Sequence, residues 1–466
     1  MAIVGGGLAG IAAATALGQA GFPVTLLEAR PSLGGRATSY TDAESGLVID
    51  NCQHVSMGCC TNLKHLCRSL QIDKAFQTEQ VLYFIGPDGR CSSFRADPLP
   101  APLHLARAFW RLPYLSFFEK RAFAHGIQKL AAAKPASLRG ISFQNWLVEH
   151  DQPVNVIRRA WEVVLVSALS ESLDRIDAGY ARMVFMDGFL NNASGWKVEI
   201  PQVSLDELYS TQTAQALRAL GVDIQLQARG TALISDVQQV RALVLKNGRE
   251  IQAEEWILAV PHHQLPALVA TLPGLQPLAD QIHRLETAPI TSVHLWFDRV
   301  ITSLPHAVLV ERLGQWLFSR GKSRTPAGEG ELYQVVISAS RHLGELTQEQ
   351  VVDQIVAELG EIWPAAREAR LLHSRLITER RAVFSALPGV DRDRPPQQTA
   401  IPNLQLAGDW TRTGWPATME GAVRSGYLAA GNLMKRYGIH DLSVQPPLPR
   451  SWLARRLWKA DDPVLE

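Results

Sequence analysis

The chain opens on a three-residue apolar run, Ala2-Ile3-Val4, that meets a glycine-rich turn, Gly5-Gly6-Gly7-Leu8-Ala9-Gly10, and continues into an alanine-rich stretch of helical character. A second apolar run, Pro23-Val24-Thr25-Leu26-Leu27, ends at Glu28. Strand, glycine turn, helix, strand and acid in this order confine the start of the chain to an α/β unit that binds a dinucleotide. The turn glycines Gly5 and Gly7 let the backbone approach a pyrophosphate at the positive end of the helix. Gly10 permits close helix-to-strand packing, and Glu28 can accept hydrogen bonds from ribose hydroxyls. A bare Gly-x-Gly-x-x-Gly is a weak signal; the element order and the spacing of the acid give it force.

The residues that follow favour FAD over NAD. Leu33-Gly34-Gly35-Arg36-Ala37 offers a second close backbone approach at Gly34 and Gly35, and Arg36 brings a charge-assisted donor for phosphate. Near the other end, Leu404-Gln405-Leu406-Ala407-Gly408-Asp409 reads as a strand running into a loop with an acid at its tip. Met419-Glu420-Gly421-Ala422 then opens a helix. Asp409 can bind a ribityl or ribose hydroxyl, and free N–H groups at the helix start around Met419 and Glu420 can face the electron-rich edge of a reduced flavin.

Together these stretches resemble the superfamily of FAD-dependent amine oxidases and phytoene desaturases, over most of the chain. Within it the chain looks most like the hydroxysqualene dehydroxylase family, the squalene-associated desaturase-like enzymes of hopanoid biosynthesis. That finer likeness rests on Asp50-Asn51-Cys52-Gln53-His54-Val55, on the stretch from Thr291 through Trp296 to Arg299, and on the closing motif from Ala407 through Trp410 and Trp415 to Ala422. The resemblance implies an α/β fold, a Rossmann-like FAD-binding domain of the glutathione-reductase type interleaved with an amine oxidase-like α+β substrate domain. Two positions depart from the pattern: Cys52 replaces a glycine, and Gly230 falls near a position where related flavoproteins place a valine whose backbone meets the adenine.

The pattern along the chain divides it into a first FAD-binding segment (1–72), a helical insert (73–204), a second FAD-binding segment (205–270), the sheet and helix of the substrate domain (271–375), a closing FAD-binding segment (376–440) and a tail (441–466). Within the insert, long helices are expected over 102–133 and 146–169. In the tail, proline-rich 444–449 leads to Ser451-Trp452-Leu453-Ala454-Arg455-Arg456-Leu457-Trp458-Lys459. This reads either as an interfacial anchor or as a helix packed on its own domain, and apolar, arginine-bearing 103–112 is a second membrane-facing candidate.

With 46 Lys plus Arg against 45 Asp plus Glu, no global field points to nucleic acid. The N-terminus enters a strand without a basic, apolar leader, so the expected location is cytoplasmic, with any membrane contact peripheral on the inner face. No uncharged run is long enough to span a bilayer. Four of the five cysteines lie between Cys52 and Cys67 near His54 and His65, but their spacing is not that of a zinc site, and no metal is expected.

A flavin enzyme needs no protein nucleophile, and the chain displays none; no second dinucleotide fingerprint is present, so electrons must come from the substrate or from a separate electron donor. The reaction implied by the resemblance is reductive dehydroxylation of an isoprenoid lipid, an allylic C30 alcohol. It asks for an acid, a surface tolerant of an allylic cation and a long apolar tunnel. His54 is the candidate acid, or else a structural histidine beside the flavin. Trp296, Trp410 and Trp415 are candidates for the aromatic wall. Three alternatives stand beside this reaction: an oxidative polyene desaturase, which would share every flavin motif; an amine oxidase, which would need an aromatic cage and commonly a lysine near the flavin N5, where Glu379-Arg380-Arg381 offers arginines instead; and a flavin-free prenyl-lipid-binding chaperone resembling the GDP dissociation inhibitors, against which the intact glycines and Arg36 argue.

Overall fold

The computed structural model describes residues 1–43, 45–236, 238–272, 274–325, 328–440 and 443–458. A five-stranded parallel sheet runs in the order Asp223–Gln225, Thr25–Leu27, Ala2–Val4, Trp256–Leu258, Leu404–Leu406. Three distant stretches of chain therefore meet in one layer. The three inner strands are almost wholly buried, as expected of parallel strands covered on both faces. Helix Leu8–Gln19 lies against helix Met419–Arg436. Their small residues set the approach: a Cβ added at Gly426 would lie 2.1 Å from the Ala9 carbonyl oxygen.

A seven-stranded sheet follows the order Leu371–Phe384, Thr287–Phe297, Gly328–Ser338, Trp316–Thr325, His306–Leu309, Leu82–Ile85, Cys91–Phe94. Neighbours are antiparallel except for His306–Leu309 beside Leu82–Ile85. Period-two alternation gives this sheet two different apolar faces. Leu317, Val335 and Ile337 pack with Val351, Ile355 and Leu359 of helix Gln348–Ile362. Trp316, Phe318, Val336 and Ser338 point the other way and line a cavity.

Three sequence expectations meet a different structure here. Stretch 73–204 is not purely helical: its strands Leu82–Ile85 and Cys91–Phe94 extend the seven-stranded sheet, so it shares a layer with the residues after 271. Strand Leu371–Phe384 runs unbroken across the division expected at residue 375. The two long helices are interrupted. The first is split into Ala106–Trp110 and Phe117–Ala132, with Pro113 between them and Ser116 and Glu119 forming a capping box that starts a new helix. The second is split into Phe143–Glu149 and the helical run from Val154, with Asp151 at φ 49° and Pro153 in the break.

Candidate active site

The glycine turn joins strand Ala2–Val4 to helix Leu8–Gln19, and two of its glycines have no substitute. Gly5 sits at φ 111°, where a Cβ would come within 2.5 Å of the Ala259 carbonyl oxygen; a Cβ at Gly10 would lie 1.9 Å from the Gly5 carbonyl oxygen. The second glycine pair docks on the first. Gly34 N–H donates to the Gly6 carbonyl at 2.9 Å, and a Cβ on Gly35 would meet Gly7 Cα at 3.0 Å. Glu28 is buried beside them: Oε2 accepts from Gly6 N–H at 2.6 Å and Oε1 from Arg30 N–H at 2.8 Å. The acid therefore holds the turn in shape as well as facing the cavity.

Opposite stands the closing segment. Asp409 is buried at its loop tip and pairs with Arg36, Nη2 to Oδ1, at 2.7 Å, while Arg36 Nη1 donates to the Ala382 carbonyl at 2.5 Å. Gly408 N–H donates to Ser425 Oγ at 2.7 Å. The first turn of helix Met419–Arg436, capped by Thr418 on Gly421 N–H, borders the same space. First-turn N–H groups lack intrahelical partners and the dipole end is positive, so this edge favours an anionic ring. Gly5, Gly7, Glu28, Gly34, Gly35, Arg36, Gly408, Asp409 and Met419 all line one end of a single cavity of about 2380 Å³. A turn packed so closely that no Cβ fits at Gly5 or Gly10, with bare backbone, an acid, a cation and a helix start along the cavity, fits a flavin dinucleotide.

His54 also lines the cavity. Its Nδ1 lies 3.0 Å from the Cys52 carbonyl oxygen, which can only accept, so Nδ1 carries the proton and Nε2 is left free. Burial, with Arg36 adding to it, pushes the His54 pKa below its ordinary value against the opposing pull of that hydrogen bond. Near neutral pH the ring is neutral and Nε2 is an acceptor, so His54 holds no spare proton in this state. Cys52 is buried at the cavity wall, and burial pushes its thiol up to about 12.

Other expected positions are distributed differently. Gly230 lines the cavity two residues beyond Ala228, whose N–H donates to the Glu28 carbonyl at 2.8 Å. Glu420 is no cofactor ligand through its carboxylate, which caps helix Thr61–Ser69 by accepting from Asn62 N–H at 3.0 Å, Asn62 Nδ2 at 2.7 Å and Leu63 N–H at 2.8 Å. Trp296 does not belong to the wall: it is fully buried outside the lining, 5.0 Å from the His373 ring and 6.1 Å from the His294 ring. Trp410 is fully buried against Gly408 and donates Nε1–H to the Val260 carbonyl at 3.0 Å; it and Trp415 border the cavity. The wall itself is built by aromatics that sequence reasoning missed. Trp316 and Phe318 are stacked, with centroids 5.6 Å apart and planes at 8°, and Phe94 bridges Phe84 at 5.6 Å and Trp196 at 6.2 Å. The alternation Trp316-Leu317-Phe318 was the available signal for the first pair.

The family model for flavin containing amine oxidoreductases matches residues 8–434. The chain belongs to this family. It is accordingly an oxidoreductase, and its cofactor is FAD, which the residues of the cradle fit. The chloroplastic/chromoplastic 15-cis-phytoene desaturase of Arabidopsis thaliana is 27% identical over 457 residues, covering 93% of this chain and 80% of that protein. The 15-cis-phytoene desaturase of Synechococcus elongatus is 27% identical over 466 residues, covering 94% and 96%. Among solved structures, a triple mutant of putrescine oxidase superposes with a TM-score of 0.69 at 19% identity over 93% of this chain and 98% of that one, a likeness of fold. Membership in a flavin family leaves no room for the flavin-free lipid chaperone weighed from the sequence.

Proposed function

We propose that this flavoprotein acts on a long isoprenoid and, specifically, removes the hydroxyl of an allylic C30 alcohol, converting hydroxysqualene to squalene. The observation that carries the proposal is the cavity. At about 2380 Å³, the FAD cradle included, it exceeds an ordinary single-ligand pocket of about 300–1,000 Å³ and extends past the cofactor's seat. Beyond the cradle its walls are mostly aliphatic and aromatic, with Leu82, Leu105, Val163 and Phe189 beside the stacked Trp316 and Phe318, and Arg159, Arg182 and Asp187 among the charged exceptions. A small amine needs no such length.

Bound in the cradle, FAD supplies hydride exchange at its N5. The chain supplies the rest. Loss of an allylic hydroxyl as water takes up one proton, which solvent must supply because neutral His54 has none to give, and leaves an electron-poor carbon to which Trp316 and Phe318 offer π density. The apolar walls exclude water that would otherwise capture that carbon. His54, held by the Cys52 carbonyl, presents Nε2 as a site that takes a proton only as the pH falls below its lowered pKa. The choice of dehydroxylation rests on the likeness in 50–55, 291–299 and 407–422.

Oxidative polyene desaturation is the second reading, favoured by the phytoene desaturases among the relatives. The two readings run electrons in opposite directions, and a separate donor or acceptor serves either one. Anaerobic incubation of dithionite-reduced holoprotein with hydroxysqualene, followed by mass analysis, decides between them. Squalene formed with stoichiometric reoxidation of the flavin supports dehydroxylation. No squalene there, together with new double bonds in phytoene under oxidising conditions, supports the second reading and rejects the first.

A further inference from the structure

The mouth of the cavity carries a surface that neither the cradle nor the tunnel uses. Leu103, Trp110 and Leu457 are 45%, 41% and 54% exposed and also line the cavity, which puts them on its rim. Phe117 and Phe118, still more exposed, continue outward from Trp110, with ring centroids 5.8 Å and 5.9 Å apart along the series. The tail is fastened to the same place. Ser451 Oγ donates to the Ala101 carbonyl at 2.5 Å, Asn192 Nδ2 donates to the Pro449 carbonyl at 2.7 Å, and Trp458 Nε1 lies 3.3 Å from Asn191 Oδ1. Helix Trp452–Leu457 thereby brings exposed Trp452 beside the insert. The sequence offered the tail and the insert as two separate candidates; the hydrogen bonds of the tail bring them together in one rim. Lys459, the last residue of the expected anchor, lies outside the described residues.

Exposed cations are interspersed with these apolar groups: Arg107, Arg111 and Arg121 on the insert, Arg455 and Arg456 on the tail. Arg121 sits over the Phe117 ring at 5.9 Å. Of the nearby acids, Glu119 is tied to the Ser116 cap and Asp97 lies 3.7 Å from Arg107. Large apolar side chains encircling an apolar opening, with cations at their edge, match a headgroup region in which aromatic rings sit at the interface and guanidinium groups meet lipid phosphates.

We infer that this rim is a docking surface for an anionic lipid bilayer, so that the tunnel opens into the bilayer interface. The docking stands on the surface alone; that the bilayer also delivers the substrate rests on the isoprenoid reading above. Among the described residues no helix is long and apolar enough to cross a membrane, so the contact is with the surface.

The test is sedimentation of full-length, FAD-loaded protein with vesicles of phosphatidylglycerol and phosphatidylcholine in equal parts, against phosphatidylcholine alone. The variants are Phe117→Ser with Phe118→Ser, and Arg455→Glu with Arg456→Glu, all at exposed positions outside the cavity lining, with flavin absorbance as the control for folding. The wild type should pellet with the anionic vesicles, less so at high salt, and each double variant should lose at least about tenfold in partitioning. Wild type that stays in the supernatant, or variants that partition as it does, overturn the proposal. Concentration-dependent self-association without vesicle binding, abolished by Phe117→Ser with Phe118→Ser, also overturns it and makes the rim an interface between copies. Turnover of detergent-dispersed isoprenoid is read separately: if it is absent while vesicle binding persists, the substrate assignment fails and the docking surface stands.

Discussion

The cradle and the tunnel are two ends of one cavity, yet they are built by different means. The cradle is made of backbone: glycines whose missing side chains create the space, N–H groups at a helix start, and three charged residues. The tunnel is made of side chains, contributed by the sheet, the helical insert and the tail. A backbone-built site tolerates almost no added atom and is insensitive to repacking elsewhere; a side-chain-built site tolerates substitution and tunes what it accepts. The difference predicts where mutations take away the cofactor and where they change only the substrate.

The sharpest attempt to break this contrast is Gly10→Val. The Cβ clash of 1.9 Å with the Gly5 carbonyl cannot be relieved by a side-chain rotation, so the expected result is protein that takes up no FAD and unfolds earlier, by about 1–3 kcal/mol or more. Near-normal flavin absorbance would show that the cradle is far softer than its packing implies. Next in size, Glu28→Ala removes a charge-assisted acceptor worth about 1.5–3 kcal/mol to FAD and also frees Gly6 N–H and Arg30 N–H. Weaker FAD binding by tenfold or more is expected by titration of apoprotein. Affinity that stays unchanged would mean the acid serves only the turn.

The tunnel should respond in the opposite way. Trp316→Ala should keep the flavin while lowering turnover of the isoprenoid by about tenfold, roughly 1.4 kcal/mol in the barrier. Loss of FAD together with activity would erase the distinction between the two regions. His54, at their border, is tested by His54→Ala: flavin retained with turnover lost makes it a participant, flavin lost with turnover makes it structural, and unchanged turnover removes it from the chemistry.

How legible each region was follows from the same contrast. The glycines at 5, 7, 10, 34 and 35, the acid at 28 and the Gly408-Asp409 pair could be read because their chemistry depends on local spacing that a linear pattern records. The tunnel wall could not. Phe94, Trp196 and Trp316 meet only because strands Leu82–Ile85 and Cys91–Phe94 join the seven-stranded sheet beside His306–Leu309, a pairing no local pattern encodes. Trp296 stands six residues beyond cavity-lining Ile290 on the same strand, about 20 Å further along, where His373 covers it. Its face was right and its depth was not. Glu420 was legible as an acid at a helix start; that it serves the neighbouring helix Thr61–Ser69 depends on how the two helices converge.

A further prediction concerns pH and histidines outside the cavity lining. His104, His294 and His306 are buried, and burial lowers each pKa to about 4 from an ordinary value of 6.5. Between those values the unfolded chain binds more protons than the folded one, so stability rises with pH across this window and is lost as pH falls through it. Tm should drop between about pH 6.5 and 4, and His104→Gln should flatten part of that drop without altering flavin content. A Tm independent of pH over this range would mean that these rings are charged in the folded state.

The five-stranded sheet also has a consequence for the birth of the molecule. Ala2–Val4 is made before the other strands of this sheet, yet one of its neighbours is Trp256–Leu258, and the edge beyond that waits for Leu404–Leu406. That strand must therefore stay unpaired on one side until residues 256–258 are made, and Asp409 reaches Arg36 only after all five strands have been made. Contacts so distant in sequence close slowly and leave apolar edges open in the meantime. The seat for the cofactor is thus completed only by the segment at 404–409, and a nascent chain halted before residue 404 has no finished seat for it.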